Sequence, residues 1–382
     1  MKRGASVVVI GGGVNGLGVA YHLAKAGVTD VVVLERKYVL YGASGRNGGG
    51  VRAQWGTPDN LVLARDSIRA FKALAPELGF NVWFRQGGYL FLAYDERTVE
   101  TLKRNVAVQN AHGVRSRLVT PEDAHVLAPV VNLDGVVGGT FSPSDGIIFP
   151  WSVVQGYWKA CRKMGVDVET FTEVTGLVAK GGRVVEVETS RGPIRADWVI
   201  NAAGSWSRDV AAMAGVALPN VPVRHEIVVM EALKPFLDPM VVDLRNGLYL
   251  NQDMRGEVIA GIGHKGERPG INFGSSFRFM RDIARAIVDL VPTLADVKAF
   301  RQWAGTYDVT PDNKPVLGPS PGLDNFLQLN GASGHGFMIS PVTTRITADL
   351  VLGRKPAYDL EPYLLDRFSK PIPIEPDAMV IG

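Results

Sequence analysis

The chain has 382 residues, 46% of them hydrophobic, enough to bury the cores of one large domain or of two interleaved ones. Its 41 basic and 38 acidic residues leave a net charge of +3, a near balance that argues against electrostatically driven nucleic-acid binding. A single cysteine, Cys161, excludes an intrachain disulfide framework or a cysteine-rich metal site, and it reads as a small apolar filler on a helix.

The first informative stretch is Ser6 to Arg36. A β-branched run, Val7 to Ile10, breaks into glycines, then into an apolar-periodic segment from Val14 to Ala26 that stops at Gly27; a second buried run, Val31 to Leu34, ends on Glu35. This predicts strand, tight turn, helix, strand. Gly11 lets the chain turn, Gly13 lets the backbone approach a pyrophosphate, and Gly16 lets the helix pack close on the strands. The helix N-terminus offers free N–H groups to phosphates, and Glu35 is placed to accept from a ribose hydroxyl. The run after Lys2 and Arg3 could pass for a signal peptide, but cleavage there would destroy the fingerprint. No apolar stretch of about 18 residues occurs. The expectation is a cytoplasmic protein, with peripheral membrane contact left open.

An ADP-bearing cofactor leaves NAD and FAD open. FAD is favoured because Arg36 and the stretch Tyr41 to Gly50 (with Ser44, Arg46, Asn47, Gly48 and Gly49) suit a pyrophosphate and a flavin. Two more glycine loops lie far downstream, as a cofactor threaded through one domain requires. Helices are predicted over Leu61 to Leu74, closed off by Pro76, over Glu96 to His112 and over Pro150 to Met164, with a strand over Gly87 to Ala93. Strands follow at 166–169, 173–179 and 183–189, the last two joined through Lys180-Gly-Gly182. A further strand, 197–204, runs into glycine, and Ser205 to Ser207 opens a helix. From Val223 to Gly263 the alternation predicts antiparallel sheet; then come a helix over Phe277 to Leu290, a strand over Phe326 to Leu329, a glycine loop, a helix over Ile339 to Leu352 and a proline-rich tail. The fold class is α/β, a Rossmann-type FAD-binding domain (1–85, 141–217, 308–382) interleaved with an α+β substrate domain on a mainly antiparallel sheet (86–140, 218–307).

The loop Asn330 to Met338 lies between strand and helix, so its N–H groups converge at a positive helix end that would stabilise negative charge on a reduced flavin. Gly334-His335-Gly336, followed by Phe337 and Met338, resembles the SGHG loop of the D-amino-acid oxidase superfamily. Ala203, Gly204 and Trp206 are similar to its second glycine motif, and Val174 to its adenine-pairing position. Over nearly the whole length, through 88–95, 102–105, 303–305, 310–312 and 334–338, the chain resembles the β subunits of dye-linked L-proline dehydrogenases, and more distantly those of sarcosine oxidases.

That resemblance implies oxidation of a secondary amino acid, L-proline to 1-pyrroline-5-carboxylate, by hydride transfer to flavin N5. It places Arg52 on the substrate carboxylate, although this arginine could instead pair elsewhere or touch the flavin phosphates. Tyr249 and His225 line the opposite wall, and His225, titrating near neutral pH, assists amine deprotonation; either could also be a satisfied sheet residue. His264 is a weaker candidate, and Lys265 reads as solvated. Relatives carry lysines near Met338 and Val258-Ile-Ala260. Their absence here implies slow reaction with O2 and another acceptor: an artificial dye, a quinone or a partner flavoprotein. Gly305 and Pro150 stand near the linking positions of covalent flavins, so the FAD is expected to be non-covalent, with FMN entering only in a heteromeric complex. A homo- or hetero-oligomer stays open, and no metal site is expected. The alternatives are a sarcosine, glycine or D-amino-acid dehydrogenase or oxidase of the same fold, and a non-catalytic electron-transfer flavoprotein subunit.

Overall fold

The computed structural model describes residues 2–264 and 266–369. Two large sheets organise them. The first is centred on β1 (Gly4–Ile10), which leads through α1 (Val14–Lys25) to β2 (Val31–Leu34). The two strands pair in parallel, Val7 opposite Val31 through Ile10 opposite Leu34. Both are buried over their apolar runs, as β-branched strands covered on two faces must be. On the other side of β1 the strand Ile194–Asn201 pairs in parallel, followed by Leu323–Asn330. Beyond β2 lies Asp167–Glu169. An antiparallel strand, Val316–Ser320, closes one edge, and the hairpin Val174–Lys180/Arg183–Thr189 turns on Gly181 and Gly182, both left-handed.

This order fixes where a ligand goes. Consecutive strands β1 and β2 run out from the centre one way, while the strand returning late in sequence pairs on the opposite side. The carboxyl ends of β1, of Ile194–Asn201 and of Leu323–Asn330 therefore open side by side at Gly11, Ala202 and Gly331. Such a switch point is where open α/β sheets bind ligands. Helices α1, Pro58–Leu78, Pro150–Lys163 and Gly336–Val351 pack together over one face. The crossing of α1 and Gly336–Val351 is close: a Cβ on Gly18 would lie 2.8 Å from Thr344 Cγ2.

The second sheet has the order 299–309, 221–232, 257–262, 248–252, 240–243, 89–93, 138–142, 117–119. All its pairings are antiparallel except Met240–Asp243 beside Tyr89–Ala93. The helix Phe277–Leu290, with the bounds predicted, covers one face of this sheet and buries Phe279, Ile283, Ala286, Ile287 and Leu290 at helical spacing. The Ser276 side chain caps that helix, accepting from Phe279 N–H at 3.1 Å.

Several elements depart from the sequence reading. The helix expected to close at Pro76 runs from Pro58 to Leu78, through the proline, and ends on a left-handed Gly79. Proline there forfeits one hydrogen bond in the last turns, where the loss is smallest. Five strands of three or more residues escaped prediction: Arg117–Val119, Gly138–Ser142, Met240–Asp243, Val316–Ser320 and Ala299–Val309, the last being eleven residues along the edge of the second sheet. Ser205 lies in a 3-10 turn, Gly204–Trp206, and the α-helix begins at Ser207.

Candidate functional site

One cavity of about 480 Å³ occupies the switch point and continues between the two sheets. At its first end, Gly11 has φ +116°, and a Cβ there would sit 2.4 Å from the Ala202 carbonyl oxygen. Gly13 caps α1 without a side-chain bond, and a Cβ on it would come within 2.9 Å of Ser44 Oγ, which accepts from Val14 N–H at 3.0 Å. Gly16 is the one fingerprint glycine that does not line the cavity. A Cβ there would lie 1.9 Å from the Gly11 carbonyl and 3.2 Å from Val9 Cγ1, so its role is the helix–strand packing expected of it. The Glu35 carboxylate accepts from Gly12 N–H at 2.9 Å and Lys37 N–H at 2.8 Å. Burial pushes its pKa up, against the pull of those two donors. Arg36 pairs with Glu173 at 3.1 Å and lies 5.1 Å from the Trp206 ring centre; both it and Val174 face the same end.

The middle of the cavity is roofed by the stretch 41–50. Arg46 bonds the Tyr41 and Ala304 carbonyls at 3.0 and 3.2 Å. Asn47 is tied to the Ser44 carbonyl at 2.9 Å and accepts from Gly49 N–H at 2.9 Å. Gly48 abuts Tyr249, and Gly49, with positive φ, abuts the Ile148 carbonyl. Ala203, Gly204 and Trp206 form the facing side, Trp206 stacking on Tyr41 at 6.0 Å. Gly305 approaches Arg46 closely enough that a Cβ would be 3.1 Å from the arginine's own. The far end is the loop 334–338: Gly334, His335, Gly336, Phe337 and Met338 all line it, and the helix Gly336–Val351 starts there with no side-chain cap.

Beyond this loop the cavity reaches the second sheet. Arg52 is buried, donates from Nη1 to the Gln54 carbonyl at 2.9 Å and lies 4.0 Å from the Trp55 ring centre. On the same cavity, His225 Nε2 and Tyr249 Oη are 2.9 Å apart. Tyr307 stacks on His225 at 4.7 Å and 12°. Gly261 makes room for this column, since a Cβ there would overlap the Tyr249 hydroxyl at 2.2 Å. Burial raises the Tyr249 pKa well above its ordinary value and lowers that of His225 to about 4. That corrects the expected titration near neutral pH: His225 is neutral at pH 7, because its imidazolium would have no water around it. His264 is also corrected. It lies outside the cavity, 3.1 Å from Asp282 Oδ2, at the foot of the Phe277–Leu290 helix. Lys265 and residues 370–382 lie outside the described residues.

Sequence reasoning missed Tyr307, Tyr89, Trp55, Ile227, Met240 and Val242 on the cavity wall, and the buried carboxyl of Asp308 beside Gly331. Tyr307 was accessible in principle: once Ala299–Val309 is recognised as a strand, Gly305 and Tyr307 share a face with His225. The arrangement fits an extended dinucleotide. Two helix N-termini whose N-cap residues, Gly13 and His335, make no side-chain capping bond open on the cavity, a carboxylate stands at the first, and glycines stand where a Cβ would crowd the path.

Comparison with known proteins agrees with that fit. A family model described as FAD dependent oxidoreductase matches residues 6–350. Sarcosine oxidase subunit beta of Rhodobacter capsulatus is 32% identical over 356 residues, covering 92% of this chain and 85% of that protein. Mitochondrial dimethylglycine dehydrogenase of Rattus norvegicus is 31% identical over 392 residues, 97% of this chain but 45% of that protein, so the chain spans under half of it. Among solved structures, L-proline dehydrogenase from P. horikoshii superposes with a TM-score of 0.92 at 32% identity, over 97% of this chain and 99% of that one.

Proposed function

We propose, for a chain that belongs to the FAD dependent oxidoreductase family and takes FAD as its cofactor, the oxidation of a secondary amino acid, L-proline, to 1-pyrroline-5-carboxylate. The reading is carried by one observation: a buried arginine, Arg52, and a hydrogen-bonded His225–Tyr249 pair with a neutral imidazole line a single cavity together with the 334–338 loop. Likeness over nearly the full length to a solved L-proline dehydrogenase supports the choice of substrate.

Bound FAD supplies a two-electron acceptor for the hydride that leaves the carbon beside nitrogen. Arg52 holds the carboxylate with paired, charge-assisted hydrogen bonds, for which its planar fork is suited. Ile227, Met240 and Val242, with Tyr89, exclude water from the carbon skeleton. The amine must lose a proton before its neighbouring C–H bond breaks. An ammonium in this pocket has lost its water and sits near the Arg52 charge, and both effects favour its neutral form. The Tyr249 hydroxyl is the polar group offered to the amine, and the neutral imidazole behind it holds that hydroxyl in place. Flavin held here would give its electrons to an acceptor other than O2: a dye, a quinone or a partner flavoprotein. Met338 lines the cavity where relatives carry a lysine, and a neutral side chain there does not stabilise superoxide.

Sarcosine is a second reading, favoured by equal identity to a sarcosine oxidase subunit beta. The visible spectrum of the purified protein, recorded anaerobically before and after L-proline, sarcosine, glycine and D-amino acids, tests both. Bleaching by L-proline at low concentration is expected. Bleaching by sarcosine alone moves the substrate assignment, and a flavin that no small amine bleaches overturns the catalytic reading in favour of a subunit that only passes electrons.

A further inference from the structure

Behind Arg52 stands a carboxyl group that none of the roles above uses. Asp145 has no exposed surface. It lies in the turn between Gly138–Ser142 and Gly146–Ile147, far in sequence from the arginine. Its Oδ1 accepts from Ala53 N–H at 3.0 Å, and its Oδ2 accepts from Gln54 Nε2 at 3.2 Å. Its main-chain carbonyl accepts from Gly88 N–H at 3.0 Å. Gln54 is held a second time, donating to the Tyr89 carbonyl at 3.1 Å. The Gln54 carbonyl in turn receives Arg52 Nη1 at 2.9 Å. The two residues that follow Arg52 are thus pinned by one acid, main chain at Ala53 and side chain at Gln54, and the guanidinium is aimed by the pinned carbonyl.

A carboxyl group without water is costly to keep unless its bonds are all made. Burial pushes its pKa to about 7, while the donors and the Arg52 charge pull the other way. Apolar residues of similar size would fill this space without that cost, but they could not hold Ala53 N–H and the Gln54 amide together.

We propose that Asp145 is a positioning residue for Arg52, fixing the 52–55 segment so that the guanidinium meets a substrate carboxylate. This rests on the reading of Arg52 as the carboxylate-holding cation. Arginine placed a fraction of an ångström off loses its paired hydrogen bonds first, so the defect falls on recognition of the carboxylate rather than on hydride loss.

The experiment compares Asp145→Asn, Gln54→Met and Arg52→Gln holoproteins, each shown by absorbance to carry FAD. The ligands are whichever of L-proline or sarcosine bleaches the flavin, the same compound as its carboxamide, and tetrahydrofuran-2-carboxylate, a proline shape with oxygen in place of N–H. In Asp145→Asn the new amide nitrogen faces Gln54 Nε2, donor against donor. The expected result is a rise of about 10-fold in KM and in the Kd of tetrahydrofuran-2-carboxylate, with kcat within about 3-fold and the carboxamide unaffected. Gln54→Met keeps the carbonyl that Arg52 uses and shows the same selectivity with a smaller rise, about 3-fold, which carries the test if Asp145→Asn does not fold. Arg52→Gln separates the two claims. If it leaves carboxylate binding unchanged, the reading of Arg52 falls; if it weakens binding while Asp145→Asn and Gln54→Met bind like the parent, or lose carboxylate and carboxamide equally, the role of Asp145 is overturned.

Discussion

Gly13 and Gly16 stand three residues apart in one fingerprint, yet the structure gives them separable tasks, which a pair of alanine substitutions resolves. In Gly16→Ala the new Cβ falls 1.9 Å from the Gly11 carbonyl oxygen and 3.2 Å from Val9 Cγ1. Neither neighbour is a flexible side-chain end, so α1 must move away from β1. Overpacking of this kind costs about 1–3 kcal/mol. With an unfolding entropy of roughly 2.1 cal/mol/K per residue, that lowers the melting temperature of the FAD-free protein by about 1–4 °C. In Gly13→Ala the nearest atom is Ser44 Oγ at 2.9 Å, which can turn aside at the cost of at most its bond from Val14 N–H, so the FAD-free protein melts within about 2 °C of the parent. Its methyl group instead stands where a pyrophosphate must approach, and FAD affinity falls at least about 10-fold, the equivalent of about 1.4 kcal/mol. Thermal melting of FAD-free protein and equilibrium FAD titration, run on both variants, read the two effects apart. An unshifted Gly16→Ala melt, or a Gly13→Ala protein that binds FAD like the parent, would refute the steric reasoning.

Further outcomes follow from the same geometry. Glu35→Gln leaves a single amide oxygen for two N–H donors, Gly12 and Lys37, and is expected to raise the Kd for FAD about 10-fold by fluorescence titration; an unchanged value removes Glu35 from the site. Tyr249→Phe strips His225 of a buried partner and costs about 1–3 kcal/mol, whereas adding His225→Phe costs less than the sum of the two, and strict additivity in denaturant unfolding would deny their coupling. The pH dependence of stability tests the buried titratable groups. His225 and His22, both lowered to about 4, contribute stability that is full above pH 6.5 and is lost as pH falls toward 4. Asp145 and Asp308, both raised to about 7, act oppositely: their contribution is full below pH 3.8 and is lost as pH rises through 7. Asp308→Asn therefore makes FAD-free protein lose about 3 kcal/mol more than the parent between pH 7 and pH 4, and parallel pH profiles would contradict the shift.

What the sequence revealed was local. The fingerprint, the hairpin at Gly181-Gly182 and the amphipathic Phe277–Leu290 helix each carry their own pattern, and each lies where it was expected. What it concealed depends on neighbours. Met240–Asp243 is four residues buried on both faces, so it shows no alternation. Ala299–Val309 is an edge strand whose first residues are exposed, and its mixed aromatic and charged composition hides the period of two. Tyr307 was lost with that strand. Asp145 sits in Ser-Pro-Ser-Asp-Gly, which reads as a surface turn; only contacts made some ninety residues away in sequence bury it. The pKa of His225 is likewise a property of its enclosure and not of its neighbours in the chain.

The helices α1 and Gly336–Val351 lie against each other through Gly18 and Thr344, and both begin at the same cavity. Each N-terminus carries roughly half a positive charge, so both poles bear on whatever the cavity binds. An anion bound in the cavity answers both poles at once. Its nucleotide is thereby a counterion to two packed helices as well as a partner in the chemistry.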